Sequence, residues 1–278
     1  MIEIKKIISR YNLTPKKSFG QNFLINPEIS KKTAELSLNG LNGDDCGVIE
    51  IGPGLGALTA ELCKVYKKVA AVEIDETFEP HLNALEYDNL NIILTDFLKI
   101  DIKDLFMQKF TDIKNINICA NLPYYITTPI ILKIIRENFA AITVMVQKEA
   151  ADKLCAKAGT AGYCETSALV SYFGKPEKLF HVPQTNFYPQ PNILSTVVRI
   201  IPDKTCEPEN EGLFFKIISA AFEQRRKTLV NAVSSILNLD KKNIAETVKK
   251  ITGNENIRGE DLDIKKFCEI SDLINKMM

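Results

Sequence analysis

The chain has 278 residues, of which 45% are hydrophobic and 25% charged, a composition ordinary for a globular protein that is soluble in water. The 35 basic side chains balance 35 acidic ones, so the formal net charge of zero excludes a histone-like protein that binds nucleic acid through bulk charge. The length predicts one large and one smaller domain, with a core large enough to fold without disulfides or a bound metal.

Short apolar segments rich in Val and Ile alternate with helical patterns through the first half of the chain. The segments that read as buried strands are Val48–Gly52, Val69–Ile74, Asn91–Thr95, Ile116–Asn121 and Ile142–Gln147. The helical patterns between them are Leu58–Val65, Thr77–Leu85 and Pro129–Asn138. Such alternation predicts an α/β fold in which helices cover both faces of a parallel sheet.

The pattern changes in the second half of the chain. Lys178–Val182 and Ser195–Ile200 also read as strands, and the short Pro-, Asn- and Gln-rich connection between them favours an antiparallel pair. Pro202–Gly212 has the composition of a linker, and everything beyond it reads as helix. We therefore predict a first domain at 1–204 and a small helical domain at 205–278.

Cysteine and histidine usage favours reduced thiols over a metal site. The seven cysteines are odd in number, no two have a C-x-x-C spacing, and the chain has only two histidines. Charged residues interrupt the first 13 residues, which argues against a signal peptide, and no apolar run reaches the ~18 residues of a membrane span. We expect a cytoplasmic protein without a bound metal and without a membrane segment.

A glycine-rich loop follows the first predicted strand, in the sequence Glu-Ile-Gly-Pro-Gly-Leu-Gly. Gly52 and Gly54 let the backbone approach a ligand where a Cβ would collide. Glu73, 21 residues after Gly52, can accept both hydroxyl protons of a ribose. A tight turn beside a solvent-exposed acid is the alternative without a ligand. The loop also fits the dinucleotide fingerprint, but Pro53 between the first two glycines argues against NAD.

Polar side chains follow the later predicted strands as well. Asp96 comes after the third strand and can accept from an adenine amino group, although it can equally serve as the N-cap of a helix that begins at Phe97. Ligands of open α/β sheets bind beyond the carboxyl ends of the strands, which should bring four residues together: Gly52, Glu73, Asp96 and Asn121. This series of nucleoside-reading groups is the stronger argument against a nicotinamide cofactor.

The fourth predicted strand ends in Asn-Leu-Pro-Tyr, a sequence suited to chemistry on an amine. An adenine amine is a poor nucleophile because its lone pair is delocalised into the ring. The Asn121 side-chain oxygen and a neighbouring backbone carbonyl can accept from that amine and direct its lone pair toward a methyl donor. Pro123 stiffens the turn, and Tyr124 offers a face on which the base stacks. The catalytic candidates are Asn121, Leu122, Pro123 and Tyr124; the alternative is an Asn turn with packing tyrosines.

Two clusters of basic residues are candidates for contact with RNA phosphates. Residues 1–20 carry five lysine or arginine side chains against one glutamate, a net charge of +4, and include Lys16 and Lys17. The second cluster consists of Arg225, Arg226 and Lys227. Phosphate contacts need such groups and make affinity depend on salt, but a charged run is also typical of a solvated surface.

Eight sequence motifs occur in order along nearly the whole chain. They are Lys17-Ser-Phe-Gly-Gln-Asn-Phe-Leu24, Glu50-Ile-Gly-Pro-Gly-Leu-Gly56, Val72-Glu-Ile-Asp75, Asp96-Phe-Leu98, Asn121-Leu-Pro-Tyr-Tyr-Ile126, Met145-Val-Gln-Lys-Glu149, Phe187-Tyr-Pro-Gln-Pro191 and Ala221-Phe-Glu-Gln-Arg-Arg-Lys-Thr-Leu229. Through these motifs the chain resembles the ribosomal RNA adenine-N6 dimethyltransferases, specifically the KsgA/RsmA group that acts on small-subunit rRNA.

The resemblance implies a class I, Rossmann-like methyltransferase fold that uses S-adenosylmethionine, followed by a small C-terminal helical domain that docks on RNA or the ribosome. The residues that it places at the cofactor are Asn22, Leu24, Gly52, Gly54, Glu73, Asp96 and Asn121. It places Glu73 at the ribose and Asp96 at the adenine. It also makes Phe187 an aromatic wall against the target base, opposite Tyr124, although Phe187 can alternatively pack under Pro189.

The implied activity is transfer of methyl groups from S-adenosylmethionine to N6 of two adjacent adenines in a small-subunit (16S) rRNA loop. The product is N6,N6-dimethyladenosine, made during maturation of the 30S subunit. The implied partner is small-subunit rRNA within an immature 30S particle, and we expect a monomer. Three alternatives stay open: a large-subunit rRNA methyltransferase of the macrolide-resistance type, a ribosome-assembly factor that mainly binds, and a nicotinamide oxidoreductase.

Two departures from the family pattern remove positive charge. Where the family usually continues Pro-Lys-Val-Asp-Ser, this chain reads Pro191-Asn-Ile-Leu-Ser195. Glu165-Thr-Ser167 stands near the place where the family often carries an arginine. Since both segments are candidates to face RNA, we expect this chain to differ from its family in detailed RNA contacts.

Overall fold

The structure, a computed structural model, describes residues 2–11, 13–14 and 20–278, with side chains from residue 6 onward. Its helices are α1 (Ile2–Arg10), α2 (Pro27–Ser37), α3 (Thr59–Val65), α4 (Glu79–Asn83), α5 (Ile102–Lys109), α6 (Thr127–Ile134), α7 (Lys148–Leu154), α8 (Glu165–Phe173), α9 (Glu211–Glu223), α10 (Leu229–Leu237), α11 (Lys241–Thr252) and α12 (Ile264–Asn275). Its strands are β1 (Phe23–Leu24), β2 (Cys46–Ile51), β3 (Lys68–Glu73), β4 (Leu90–Leu94), β5 (Asn115–Asn121), β6 (Ala141–Gln147), β7 (Gly174–Val182), β8 (Phe187–Tyr188) and β9 (Ser195–Pro202).

The chain folds into two compact units. The first unit consists of Met1–Ala151 and Pro176–Pro202, and the second unit consists of Asp152–Lys175 and Asp203–Met278. The predicted division into 1–204 and 205–278 therefore needs correction. The predicted boundary lies close to the observed start of the last segment at Asp203. However, the segment Asp152–Lys175, which carries α8, also belongs to the second unit, so the two units cannot be separated by a single boundary in the sequence.

A seven-stranded sheet forms the centre of the first unit, in the order β4–β3–β2–β5–β6–β9–β7. Neighbouring strands from β4 to β6 are parallel, whereas β9 is antiparallel to β6. Every residue of β2 is buried, as expected for a central strand of a sheet with both faces covered. The five strands predicted in the first half of the chain are confirmed, with ends that differ by at most two residues. The two later predicted strands correspond to β7 and β9, which are neighbours at one edge.

A two-stranded antiparallel ribbon of β1 and β8 fastens the N-terminal segment to the segment that follows β7. Leu24 pairs with Phe187 in this ribbon, and the Ile25 N–H donates to the Asn186 carbonyl over 2.8 Å. The side chain of Asn26 caps α2, and its amide also donates to the Asn186 side chain over 2.8 Å. Strands of two residues have no hydrophobic periodicity, so the sequence did not predict the ribbon.

The second unit has an aromatic core built by α8 and α9. The Tyr172 ring lies 4.9 Å from the Phe214 ring between centroids, and the Tyr172 hydroxyl donates to the Glu211 carboxylate over 2.7 Å. The Thr205 N–H donates to the Tyr172 carbonyl over 3.0 Å. These contacts hold the segment around α8 in the second unit. None of the helices in the described part of the chain has the length and apolar character that a membrane crossing requires.

Candidate active site

A cleft of the first unit opens at the carboxyl ends of β2, β3, β4 and β5, where open α/β sheets bind their ligands. Its volume, including the open mouth, is about 1010 Å³. The cleft is lined by all the residues that the sequence predicts as cofactor contacts: Asn22, Leu24, Gly52, Gly54, Glu73, Asp96 and Asn121. Leu122, Pro123 and Tyr124 line it as well. The structure thus brings these residues together, while their contacts with a ligand stay predictions.

The glycine loop forms one wall of the cleft in backbone conformations that L side chains rarely adopt. Gly52 has a φ of +71°, and Gly54 has a φ of +54°. A Cβ atom placed on Gly52 meets no heavy atom within 4 Å, so the backbone there faces open space. A Cβ atom on Gly54 comes within 3.1 Å of the Phe23 ring, so this glycine lets the N-terminal segment pack over the loop.

Glu73 joins the glycine loop to the end of β3. Its buried carboxylate accepts from the Gly54 N–H over 3.0 Å and from the Asp75 N–H over 2.9 Å. Burial raises the pKa of Glu73, and the two backbone hydrogen bonds oppose that shift by stabilising the charged form. An ionised carboxylate has about four acceptor positions, more than its backbone hydrogen bonds occupy, so Glu73 can still accept from a ligand hydroxyl. The alternative of a solvent-exposed acid is therefore wrong.

Glu50 is a second buried acid at this site, and its sequence context alone predicts no role for it. Its side chain is only 1% exposed, lines the cleft, and has one carboxylate oxygen without a hydrogen-bond partner. Burial raises the pKa of Glu50 to about 8, and the nearby charge of Glu73 adds to that shift. Burial thus favours the neutral form of a carboxyl group that lines the cleft. Its signal in the sequence was an acid at the end of a buried strand.

Asp96 combines the two roles that the sequence left open. One of its carboxylate oxygens accepts from the Leu98 N–H over 3.0 Å and so caps the 3-10 helix Phe97–Lys99, and the residue also lines the cleft. Two large apolar residues that also line the cleft are exposed: Ile74 is 47% exposed and Leu98 is 37% exposed. Acceptors beside exposed apolar surface suit a planar base with polar edges.

Asn121 is oriented by the N-terminal segment. Its side-chain N–H group donates to the Asn22 carbonyl over 3.0 Å, and the Asn22 side chain in turn donates to the Gly20 carbonyl over 3.0 Å. With its nitrogen held in this way, the Asn121 amide keeps its oxygen as an acceptor at the cleft. The sequence carried no signal for this hydrogen bond, because Asn22 and Asn121 are 99 residues apart.

The residues after Asn121 are fixed by short-range contacts. The Leu122 N–H donates to the Met145 carbonyl over 3.0 Å, and the Pro123 carbonyl accepts from the Ile126 N–H over 3.3 Å. The Tyr124 hydroxyl lies 3.0 Å from the Ser195 hydroxyl, and burial raises the pKa of Tyr124. Tyr124 is therefore a neutral, anchored ring and not a base.

Phe187, which the resemblance placed against the target base, is a buried residue of β8. Its side chain is 3% exposed and packs in a cluster with Leu24, Met145 and Val197, and it does not line the cleft. The pairing of β8 with β1 directs the ring into this cluster, which a motif cannot reveal. A contact between Phe187 and the target base, opposite Tyr124, stays a prediction.

The structure describes the whole second cluster of residues predicted to contact RNA and only part of the first cluster. Lys16 and Lys17 lie outside the described residues. Arg225 donates to the Tyr163 carbonyl over 3.1 Å and to the Glu260 carboxylate over 2.9 Å, so its guanidinium is engaged within the second unit. Arg226 and Lys227 are exposed in the turn between α9 and α10. For this cluster, contact with RNA stays a prediction.

Most of the chain matches the model of one known protein family. The family model of ribosomal RNA adenine dimethylase matches residues 12–276. The chain belongs to this family. Ribosomal RNA small subunit methyltransferase A of Bacillus cytotoxicus is 40% identical over 279 residues, which cover 97% of this chain and 94% of the relative. The protein of the same name from Bacillus pumilus is 40% identical over 289 residues, covering 100% of this chain and 97% of the relative.

Two solved structures have the same architecture. A dimethyladenosine transferase from Plasmodium falciparum superimposes with a TM-score of 0.76 at 25% identity, covering 91% of this chain and 98% of that chain. The 23S rRNA methyltransferase ErmE gives a TM-score of 0.66 at 18% identity, covering 91% and 100%, and shows the fold alone. The predicted Rossmann-like methyltransferase fold with a helical C-terminal part is confirmed, and the nicotinamide oxidoreductase alternative is wrong.

Proposed function

We propose that this enzyme transfers methyl groups from S-adenosylmethionine to adenine N6 in small-subunit rRNA and gives N6,N6-dimethyladenosine. The hydrogen bond from Asn121 to the Asn22 carbonyl carries the proposal, because it holds an amide oxygen ready for an amine at the cleft. Family membership supports the reaction, and the two Bacillus relatives, named for the small ribosomal subunit, support the substrate. The similarity to ErmE is one of fold and does not favour the large subunit.

The cleft fits the cofactor that this family uses. Open space in front of Gly52 admits a ligand against the backbone, and Glu73 retains acceptor positions for ribose hydroxyls. Asp96 lies beside the exposed side chains of Ile74 and Leu98, where an adenine would find an acceptor and apolar surface. S-adenosylmethionine, when bound, supplies a methyl group on a positively charged sulfur. Asn22, Leu24 and Gly54 would complete the walls around it.

Catalysis by this chain consists of orientation. The Asn121 side-chain oxygen accepts from the adenine amine. The backbone acceptor next to it is the Leu122 carbonyl, since the Pro123 carbonyl already accepts from both the Ile126 N–H and the Thr127 hydroxyl. Two acceptors on one amine favour its pyramidal form and direct the lone pair away from the ring. Tyr124, fixed through Ser195, offers its face to the base. No strong base is needed, because the amine becomes acidic once it is alkylated and its proton passes to water.

A second transfer to the same nitrogen uses the same residues. After one methylation the amine has one N–H left, and Asn121 needs only that N–H to hold it. Tyr125, with 54% of its side chain exposed at the rim of the cleft, is an apolar surface that a rotated methyl group contacts without leaving a polar atom unpaired. Dimethylation is therefore compatible with the residues of the cleft.

Zero net charge suits a substrate recognised by its shape, and we place the reaction on an immature 30S particle in the cytoplasm, with the enzyme acting as a monomer. The target adenine must leave its stack to reach the cleft, as in other enzymes that modify bases. Two neighbouring adenines of one loop are the proposed targets. Arg226 and Lys227, exposed at one turn of the second unit, would contact RNA phosphates.

Methyl incorporation into purified ribosomal subunits tests this proposal. The protein is incubated with labelled S-adenosylmethionine and either small or large subunits that lack the modification. We expect label in small-subunit rRNA and none in large-subunit rRNA, and we expect the Asn121→Ala variant to bind small subunits without labelling them. Label in large-subunit rRNA would favour the macrolide-resistance type of enzyme. Binding of small subunits by the wild type without labelling would favour an assembly factor.

A further inference from the structure

Lys133 of α6 makes an unusual set of contacts just outside the cleft. Its ammonium group donates to the carbonyls of Phe97, Leu98 and Ile100, over 3.0, 2.8 and 2.6 Å respectively. An ammonium has three N–H donors, so all of them are directed at one turn of backbone. The same group lies 5.4 Å from the centroid of the Phe97 ring. A phosphate or an acidic side chain would have to displace these bonds to reach Lys133.

The turn that Lys133 holds carries the adenine end of the proposed cofactor site. Asp96 caps the start of the 3-10 helix Phe97–Lys99, while Lys133 binds two carbonyls within this helix and the carbonyl of Ile100 just after it. A short helix leaves its last carbonyls without partners, and a cation there satisfies them and opposes their partial negative charge. Asp96 and Leu98, which project from this turn, both line the cleft. The turn that carries them is therefore held by a side chain that does not itself line the cleft.

We propose that Lys133 is a positioning residue, which sets the affinity for S-adenosylmethionine by holding Asp96 and Leu98 where the adenine binds. The proposal rests on the proposed cofactor site and adds a residue that none of the sequence motifs contains. α6 follows directly on the Asn121–Ile126 segment. Lys133 consequently ties the turn that receives the adenine to the helix behind the catalytic residues.

A purely stabilising clamp is the competing explanation, and a double-mutant cycle separates the two. Lys133→Met keeps the aliphatic length of the side chain and removes the three hydrogen bonds. If Lys133 acts through Asp96, its loss weakens cofactor binding only while Asp96 is present, because residues that share one function have non-additive effects. A clamp that only stabilises the first unit lowers the melting temperature and leaves the dissociation constant of the folded protein unchanged.

Calorimetry of S-adenosylmethionine binding to the full chain provides the test. We expect Lys133→Met to raise the dissociation constant about tenfold, the scale expected when charge-assisted hydrogen bonds are removed, while kcat at saturating cofactor changes by less than about threefold. In the Asp96→Ala background we expect Lys133→Met to add less than about twofold. Lys99→Met is the matched control, since Lys99 is exposed on the same turn, and it should leave the dissociation constant unchanged.

Two results would overturn the role of Lys133. One is an unchanged dissociation constant for folded Lys133→Met, and the other is a tenfold effect that persists in the Asp96→Ala background. If Lys133→Met does not fold, Lys133→Gln enters the same cycle with the same expectations, because its shorter neutral amide cannot reach three carbonyls. An Asp96→Ala variant that binds S-adenosylmethionine normally would instead remove the adenine site itself.

Discussion

The side-chain amide of Asn121 donates to the backbone carbonyl of Asn22 over 3.0 Å, and this bond joins the end of β5 to a segment 99 residues earlier. An amide that rotates freely presents its oxygen and its nitrogen equally, and the nitrogen would repel the amine of an adenine. Asn22 removes that ambiguity before any substrate arrives. In the proposed mechanism the N-terminal segment therefore helps to orient Asn121, and the β1–β8 ribbon keeps this segment in place.

Removing the Asn121 amide should abolish turnover without unfolding the protein. We expect Asn121→Ala to lower kcat by about 10²–10³-fold, the scale of losing one preorganised electrostatic group. Asn121→Asp should be impaired as well, because a carboxylate cannot donate to the Asn22 carbonyl. Single-turnover methylation of small subunits measures the effect. Asn138→Ala, an exposed asparagine beyond α6, is the control, and equal rates for Asn121→Ala and this control would exclude the role of Asn121.

Glu50 should make the stability of the unliganded protein depend on pH. Its pKa is about 8 in the folded chain, and an unfolded glutamate has a pKa of about 4.3. Between these values the folded state binds the extra proton, so the free energy of unfolding should fall as pH rises, with a slope of about 1 kcal/mol per pH unit.

Denaturant unfolding between pH 5 and pH 8 measures this dependence (roughly the window between the unfolded and folded pKa values). Glu50→Gln should lack this contribution and gain stability relative to the wild type as pH rises. Glu76→Gln, which changes an exposed acid shortly after β3, should follow the wild-type curve. Parallel curves for wild type and Glu50→Gln would show that Glu50 is ionised in the folded protein.

Phe187 should act on the site through packing. We expect Phe187→Ala to destabilise the first unit by about 3–5 kcal/mol, as for other large buried rings, and to loosen Leu24 in the ribbon. Phe187→Leu fills much of the same volume and should retain most of the methylation rate. Thermal unfolding measures the packing role of Phe187, and initial methylation rates test for a contact between its ring and the base. A stably folded Phe187→Leu variant with little activity would restore the aromatic contact with the base.

The basic cluster should divide into a structural and a binding part. Arg225→Ala breaks a half-exposed ion pair with Glu260, so we expect a loss of stability of about 1 kcal/mol or less and little change in binding of small subunits. Arg226→Glu combined with Lys227→Glu should weaken that binding and reduce the slope of log affinity against log salt by about 1 for each phosphate that the variant no longer binds. Filter binding at several salt concentrations measures both. An unchanged slope of log affinity against log salt would show that Arg226 and Lys227 do not contact RNA phosphates.

The sequence predicted the parts of the fold that have a local signal. Buried strands such as β2 can be predicted from their Val and Ile residues. The glycine loop and the sequence Asn-Leu-Pro-Tyr indicate the strand ends that form the cleft. Contacts between distant segments have no such signal. Three features depend on which surfaces meet after folding: the Asn22–Asn121 hydrogen bond, the hydrogen bonds of Lys133, and the place of α8 in the second unit. Phe187 shows the same limit, because a motif gives the position of a residue in the chain but not the direction of its side chain.

Mass spectrometry of nucleosides from small-subunit rRNA is the most direct measurement of the proposed reaction. Undermethylated small subunits are incubated with the wild-type protein and excess S-adenosylmethionine until incorporation stops, and the rRNA is then digested. We expect N6,N6-dimethyladenosine at two neighbouring adenines, with the monomethyl form present only as a transient. Monomethyladenosine as the sole final product, or methylation on a different base, would contradict an active site in which Asn121 holds the same amine through both transfers.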